Sequence, residues 1–399
     1  MRAKIKIGFY TMGGRSWYAG IRVMETLMKC LKKTFQDKIE ILLLNDERQK
    51  EIPREFTENV NGAINVPEIK LPVKYSFNWW FDKMLSSGKT IEKNTYIANQ
   101  LNSFLTQQGV DVIFSPLNIF KFRTIPVLSW VSDLQHMYLP EMFSREEIQW
   151  RTNRFRRTIE ASGRIVTLSE AVKNNFVKFF KINPERVVVD SPVCYCDENI
   201  YKRDPYSMIK LYNLPEKFIY FPGTFWKHKN HEILFEAVAK LRKEGEKIII
   251  VCSGYLNDYR HPHYFADVIR KLSIWGIREQ VIHLGTIPYV HVLDLIRQSI
   301  CVINPSLYEG FGITADEART VGKQVLLSDL PSHHEQNIHE ATFFDPRDIV
   351  NLEEKMVHVW NNTVPGPDKK LEKESQKELP ERLEKRAVNF MTAIQELLK

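Results

Sequence analysis

The sequence predicts an α/β protein built from two doubly wound, parallel-sheet domains. Three observations carry this reading. Short apolar runs, most of them rich in β-branched residues, recur along the chain; helical patterns separate them; and about six such runs lie on each side of residue 200. Continuous short runs suit strands buried on both faces of a parallel sheet. Strands that alternate with helices imply right-handed crossovers. Twelve strands would overfill one open sheet of at most about ten, so two sheets are expected. The length of 399 residues, at about one domain per 150, agrees.

In the first half the runs fall at 5–10, 39–44, 110–115, 125–131, 164–168 and 186–189. In the second half they fall at 218–221, 247–251, 281–284, 301–304, 324–328 and 342–344. Between them, 231–241 places Ile233, Leu234, Ala237, Val238 and Leu241 on one helical face. Ser169 follows a strand and precedes EAVKNNFVKFF, as a helix N-cap does. The stretch 192–216 is polar, irregular and proline-containing, and reads as a linker. The stretch 363–376, with Pro365 and Pro367, reads as a loop. A last helix then carries Leu383, Ala387, Phe390, Met391, Ile394 and Leu397 on one face. The expected division is therefore an N-terminal domain 1–200, a C-terminal domain 201–376 and a final helix 377–399.

Composition narrows the function. Apolar residues at 43% and aromatic residues at 12% exclude a disordered chain. No apolar run approaches the roughly 18 residues of a membrane helix. Lys4 and Lys6 inside the first apolar run favour a strand over a signal peptide. The five cysteines are odd in number and scattered. Cys194-x-Cys196 lacks the spacing of a zinc site, so a reduced, cytoplasmic protein without a structural metal is expected. Residues 1–200 hold 29 Lys and Arg against 22 Asp and Glu, which accounts for the whole net charge of +7. A basic half suits an anionic partner such as a lipid surface, or is a solvated face without a partner. No aromatic-interleaved recognition module accompanies it, so nucleic acid is not an expected partner.

Ligands of doubly wound sheets bind beyond the carboxyl ends of the strands, so the loops after strands are where chemistry is sought. In 305–329 (PSLYEGFGITADEARTVGKQVLLSD), the loop Glu309-Gly310-Phe311-Gly312 opens a helix that begins near Ile313. The glycines admit a ligand close to the backbone, and free N–H groups at the helix start attract an anion. Glu309, and Glu317 eight residues on, would need donors if buried, and sugar or ribose hydroxyls are donors. A structural turn is the competing reading. In FPGTFWKHKN (221–230), Lys227, His228 and Lys229 gather after Gly223, as a diphosphate would require; a solvated basic loop is the alternative. His136, in WVSDLQHMYLP, follows a first-half strand and is a cleft candidate or a structural histidine. Gly13, Gly14 and Gly20 suit a loop-to-helix turn but not G-x-G-x-x-G, so a dinucleotide cofactor is not expected.

Taken in order, these stretches resemble retaining glycosyltransferase family 4. EGFGITADE, followed by Gly322 and QVLLSD, is similar to the family signature; GTFWKHKN resembles its phosphate-binding segment. VSDLQH followed by LPEMFS resembles the first-domain loop with a sugar-facing histidine, and HLGTIPYVHVLDLI the nucleobase segment. The resemblance implies a GT-B fold: two Rossmann-like domains facing across a cleft, with the C-terminal helix packing back towards the first. It implies a nucleotide diphosphate sugar as donor and no required metal or other cofactor. Glu309, His136 and Lys229 would be the catalytic set: Glu309 on the donor sugar, His136 near it, Lys229 on the diphosphate. Glu317 would hold the ribose, the backbone of Gly310, Phe311, Gly312 and Ile313 would lie by sugar and phosphate, and Gly13 and Gly14 would make room for phosphates and acceptor. Gly223, Thr224 and His228 would line the donor. Many members have arginine where Thr224 stands, which leaves either His228 or Lys227 as substitute cation or a weaker clamp on the diphosphate.

The implied activity is glycosyl transfer, with a hexose as the expected sugar, to a glycan or lipid-linked oligosaccharide acceptor in bacterial surface polysaccharide synthesis (O-antigen, capsule or exopolysaccharide). The alternatives are a non-catalytic binding subunit of the same fold, which Thr224 favours, or another nucleotide-sugar enzyme such as an epimerase. The aromatic run Tyr75, Phe77, Trp79, Trp80 and Phe81 reads as core or as a surface for a lipid-linked acceptor. The helix around 21–35, with Arg22, Lys29, Lys32 and Lys33 beside Val23, Leu27 and Leu31, could lie on an anionic membrane surface, which makes peripheral contact with the inner membrane face one reading.

Overall fold

The computed structural model describes residues 4–10, 18–46, 56, 58–67, 69 and 88–399. The chain forms two compact units. Unit 1 comprises Met1–Leu134, Arg145–Pro192 and Leu383–Lys399; unit 2 comprises Gln135–Ser144 and Val193–Arg382.

Unit 1 holds a seven-stranded parallel sheet of β1 (Ile5–Tyr10), β2 (Ile39–Asp46), β3 (Gly62–Val66), β4 (Val112–Pro116), β5 (Val127–Trp130), β6 (Arg164–Thr167) and β7 (Val187–Val189), in the order 3-2-1-4-5-6-7. Six of these strands overlap the apolar runs read from the sequence. The seventh, β3, does not, and corrects the expected six. Its sequence GAINV is an edge strand with mostly half-exposed or exposed side chains, so it offers no continuous apolar run. Its pairing with β2 fixes it: Leu42 to Asp46 lie opposite Gly62 to Val66.

Ser169 caps the helix Glu170–Phe180 as expected, accepting the Val172 N–H. The helix Tyr18–Phe35 corrects another expectation. Its apolar face, with Met24, Leu27, Met28 and Leu31 at 0–1% exposure, lies in the unit 1 core. Arg22 and Lys29 both pair with Glu25, at 2.5 and 2.6 Å. An amphipathic membrane helix needs a free apolar face, and this one is taken. Tyr75 to Phe81, and Gly13 and Gly14, lie outside the described residues.

Unit 2 holds a six-stranded parallel sheet of β8 (Ile219–Pro222), β9 (Ile250–Ser253), β10 (Val281–His283), β11 (Cys301–Asn304), β12 (Val325–Ser328) and β13 (Thr342–Phe344), in the order 10-9-8-11-12-13. The helix His231–Lys243 buries Leu234, Phe235, Ala237, Val238 and Leu241 against it, and Ile233 packs at the margin.

The supposed linker 192–216 is folded structure. Residues 198–202 form a 3₁₀ turn, and Ser207–Tyr212 form a helix with Met208 and Ile209 buried. Buried Arg297 holds it from below: its Nη1 donates to the carbonyls of Ile200 and Arg203 at 2.6 and 3.0 Å, while Nε bonds Glu372 at 2.8 Å. The cation that organises the segment lies about ninety residues away, where local sequence cannot reveal it.

The loop expected over 363–376 is also shorter. A helix runs over Lys369–Leu397, with Pro380 inside it. Asp368 starts it by accepting the N–H groups of Lys370 and Leu371, each at 3.0 Å. Its last turns belong to unit 1, where Phe390 packs edge-on against Phe114 at 5.2 Å and near Phe9 at 6.3 Å. Arg386 there grips both oxygens of Asp190, at 3.0 and 2.9 Å, and donates to the Val23 carbonyl. A bidentate pair buried on both sides fixes the helix register within that unit.

Candidate active site

In each sheet the strand order reverses once, at β1/β4 in unit 1 and at β8/β11 in unit 2. Loops that leave the carboxyl ends of two such neighbours diverge and leave room for a ligand. In unit 2 those two loops are the two stretches singled out in the sequence: 223–230 after β8 and 305–312 after β11.

They are tied together directly. The Leu307 N–H donates to the His228 carbonyl at 2.8 Å, and Lys229 Nζ donates to Glu309 Oε1 at 2.6 Å. Asn304 Nδ2 also reaches that oxygen, at 3.3 Å. The Ser306 hydroxyl lies 2.7 Å from it and 2.6 Å from Asn304 Oδ1, so its one proton serves one oxygen at a time. The donors converge on Oε1, and among the described residues no hydrogen bond reaches Oε2. Burial, the largest single effect, pushes the Glu309 carboxyl up, but Lys229 together with the nearby His228 and His333 rings brings it down to about 2. Glu309 is therefore a fixed carboxylate with one oxygen committed and one available to hydroxyl donors.

The β8 loop is clamped on its other side. Gly223 and Phe225 donate backbone N–H groups to the carbonyls of Ser253 and Tyr255, both at 2.8 Å. Gly254 has φ +143°, and a Cβ there would collide with the Gly223 carbonyl. Only glycine lets the β9 end come this close to Gly223. Thr224 is half-buried in this ladder, and its carbonyl accepts the Trp226 N–H.

His228 is buried, and burial, then the charge of Lys229, hold it well below its ordinary range. It is neutral at pH 7, so it does not supply the cation absent at Thr224. Lys227 is exposed.

The β11 loop turns into the helix Ile313–Thr320 at Gly312, which has φ +90°. A Cβ on Gly312 would come within 2.7 Å of the His333 ring. Gln336 holds the turn by donating to the Phe311 and Gly312 carbonyls at 2.6 and 3.3 Å. Glu317, on the buried face of the helix, raises the Tyr220 phenol together with burial, the larger effect. Its neighbour Asp316 turns elsewhere: it accepts the Cys194 N–H at 2.5 Å and pairs with Arg382.

His136 belongs by its contacts to unit 2, not to the first domain where the sequence put it. It is fully buried in the short helix Gln135–Tyr138, with its ring edge-on to Phe143 at 6.2 Å. Two residues on, Tyr138 stacks on Tyr308 at 5.2 Å, and Tyr308 adjoins Glu309. The structure thus gathers Gly223, Thr224, His228, Lys229, Glu309 to Ile313 and Glu317 on one unit, with the His136 segment against it.

Sequence reasoning missed Asn304, Ser306, His333 and Gln336. Asn304 and Ser306 carried a signal, since they are polar residues at the end of an apolar strand. His333 and Gln336 carried none; they reach the glycine turn from the short helix Pro331–His334 and the residues just past it, more than twenty residues later. His333 Nδ1 donates to the Ser328 carbonyl at 2.8 Å, and burial lowers its pKa, so its Nε2 is the unprotonated nitrogen. Among the described residues, no group of three or more His, Cys, Asp or Glu could hold a metal ion. None of the described helices is long and apolar enough to cross a membrane.

Residues 204–386 match the family model of glycosyl transferases group 1, so the second half of the chain carries a domain of that family. O-antigen chain mannosyltransferase RfbU of Salmonella typhimurium is 24% identical over 233 residues, 57% of this chain and 60% of its own length. The chain thus matches less than two thirds of that relative. Two solved structures match over nearly the whole chain. A glycosyltransferase from Rickettsia africae has a TM-score of 0.68 at 15% identity, covering 99% of each chain. Anabaena HepE, in complex with UDP-glucose, has a TM-score of 0.65 at 15% identity, covering 98% of this chain and all of that one. The architecture is GT-B.

The buried histidines set a pH window. Burial lowers His283 to about 4, and also holds His228 and His231 well below their ordinary range. An unfolded chain protonates these rings near pH 6.5 while the folded one does not, so stability falls as pH drops from about 6.5 towards 4. His283 Nδ1 accepts the Gly285 N–H at 3.1 Å, a bond that an asparagine oxygen can take over. His283→Asn therefore makes the fall in melting temperature between pH 6.5 and 4 shallower, by about a few degrees. An unchanged slope contradicts this.

Proposed function

We propose that the protein is a retaining glycosyltransferase of family 4 that moves a sugar from a nucleotide diphosphate sugar to a glycan or lipid-linked oligosaccharide. The observation that carries this reading is the Lys229–Glu309 pair, which joins the two loops at the β8/β11 reversal inside the family-matched region. A diphosphate needs cations and N–H donors; a sugar needs a carboxylate that accepts hydroxyls. Both are supplied within one ion pair's length.

In this reading the donor's C1–O bond to the diphosphate breaks, leaving positive character on the sugar ring and negative charge on phosphate. Lys229 and the N–H groups at the start of Ile313–Thr320 stabilise that charge. Glu309 Oε2 accepts sugar hydroxyls, and Glu317 accepts those of the ribose. The acceptor oxygen bonds C1 on the face the phosphate leaves, and its proton passes to a leaving phosphate oxygen. The charge is met by protein groups alone, so the reading includes independence of metal ions.

The relative's name points to a mannosyl donor and to O-antigen as the first substrates to test. Donors are tested by transfer to glycan acceptors with chelator present, and the anomeric configuration of the product is read by NMR. Retention is expected; an inverted product overturns the mechanism. Glu309→Ala lowers kcat by about a hundredfold or more while the protein stays folded. Unchanged turnover in that variant removes Glu309 from its role.

The reading also includes a cytoplasmic site of action against the anionic inner face of the membrane. The support is the charge of the first half, where the whole excess of +7 resides. Salt-sensitive flotation with anionic liposomes is the expected result, and no flotation at low salt contradicts it.

A further inference from the structure

Arg260 lies seven residues beyond the end of β9, outside every stretch that drew attention in the sequence. Its side chain is only 5% exposed. Nε donates to Asp258 Oδ1 at 3.3 Å, and Nη1 donates to Gln135 Oε1 at 2.8 Å. The guanidinium lies 4.6 Å from the centre of the Phe143 ring, 5.2 Å from that of Trp226 and 5.6 Å from that of Tyr259. Asp258 is itself buried, and its Oδ2 accepts the Lys227 N–H at 3.0 Å.

One buried ion pair therefore touches three segments of unit 2. It holds both ends of Gln135–Ser144, through Gln135 and Phe143, and Phe143 in turn backs the His136 ring. It holds the turn that carries Lys229, through Trp226 and the Lys227 N–H. The third segment is its own loop. Such a pair is held by burial and stacking, and its loss frees two segments at once.

We propose that Arg260 is a positioning residue for sugar transfer: it fastens the segment carrying His136 to the turn carrying Lys229. This rests on the glycosyltransferase reading above. Arg260 acts through its neighbours, with Nε engaged by Asp258 and Nη1 by Gln135. Lysine cannot replace it. An ammonium is a compact charge, whereas the planar guanidinium stacks on rings while donating along two edges.

The test uses the full chain and the variants Arg260→Lys, Arg260→Ala, Gln135→Leu and Arg260→Lys with Gln135→Leu. Wild-type transfer, and calorimetric titration of the wild type with UDP and GDP, judge the glycosyltransferase reading by themselves. Given an active wild type, Arg260→Lys is expected to lower kcat about ten- to a hundredfold, because a misplacement near 1 Å has that effect. The affinity for the nucleoside diphosphate stays within about threefold. Gln135→Leu lowers kcat with little change in melting temperature, and the double variant falls less than the two single effects combined, as expected when both act through one contact. Wild-type kcat in Arg260→Lys overturns the proposal. So does loss of nucleotide affinity in step with kcat, which would make Arg260 a direct ligand. If Arg260→Ala fails to fold, the Lys and Gln135 variants still decide.

Discussion

Glu309 remains charged in unit 2 chiefly because Lys229 reaches it, with the His228 and His333 rings adding to the effect. Taking a carboxylate out of water is costly unless partners compensate, and here the 2.6 Å contact with Lys229, with His228 and His333 nearby, leaves its pKa at about 2 despite burial. The two residues stand eighty positions apart. They meet because β8 and β11 are neighbours at the point where the sheet order reverses. Everything else in the site supports that meeting. Gly254 lets the β9 end press on the β8 loop, Gln336 pins the glycine turn, and Asn304 with Ser306 orients the carboxylate.

The same arrangement explains which other charged groups remain outside the chemistry. Asp316 is next to Glu317 and also buried, yet it is committed to Cys194 and Arg382. Buried Arg297 is spent on Glu372 and on carbonyls of the connecting segment. His228, although beside Lys229, is neutral. Position in the cluster therefore does not decide role; what each group is already bonded to does.

Much of this was legible in the sequence, and the reason is local. Buried parallel strands are continuous apolar runs, and the polar and glycine residues directly after them mark the site. Twelve of the thirteen strands, the Ser169 cap and both loops of the Lys229–Glu309 pair could be read in that way. The exceptions share a cause. β3 is an edge strand without an apolar run; the segment after residue 192 is ordered by Arg297; the helix from Lys369 is charged and follows two prolines. His333, Gln336 and Arg260 reach the site from elements distant in sequence, and no local pattern announces such contacts. The segment with His136 groups with unit 2 for the same reason: its partners Arg260 and Tyr308 lie more than a hundred residues on.

The central claim is that the Lys229 side of the unit 2 reversal point receives a diphosphate. Isothermal titration of wild type and Lys229→Met with the matching nucleoside diphosphate and with its nucleoside, free of metal, tests it most directly. The account predicts that the variant binds the diphosphate at least about tenfold more weakly, by loss of a charge-assisted bond, while the nucleoside binds both proteins alike. Equal diphosphate affinity in the two folded proteins would contradict it.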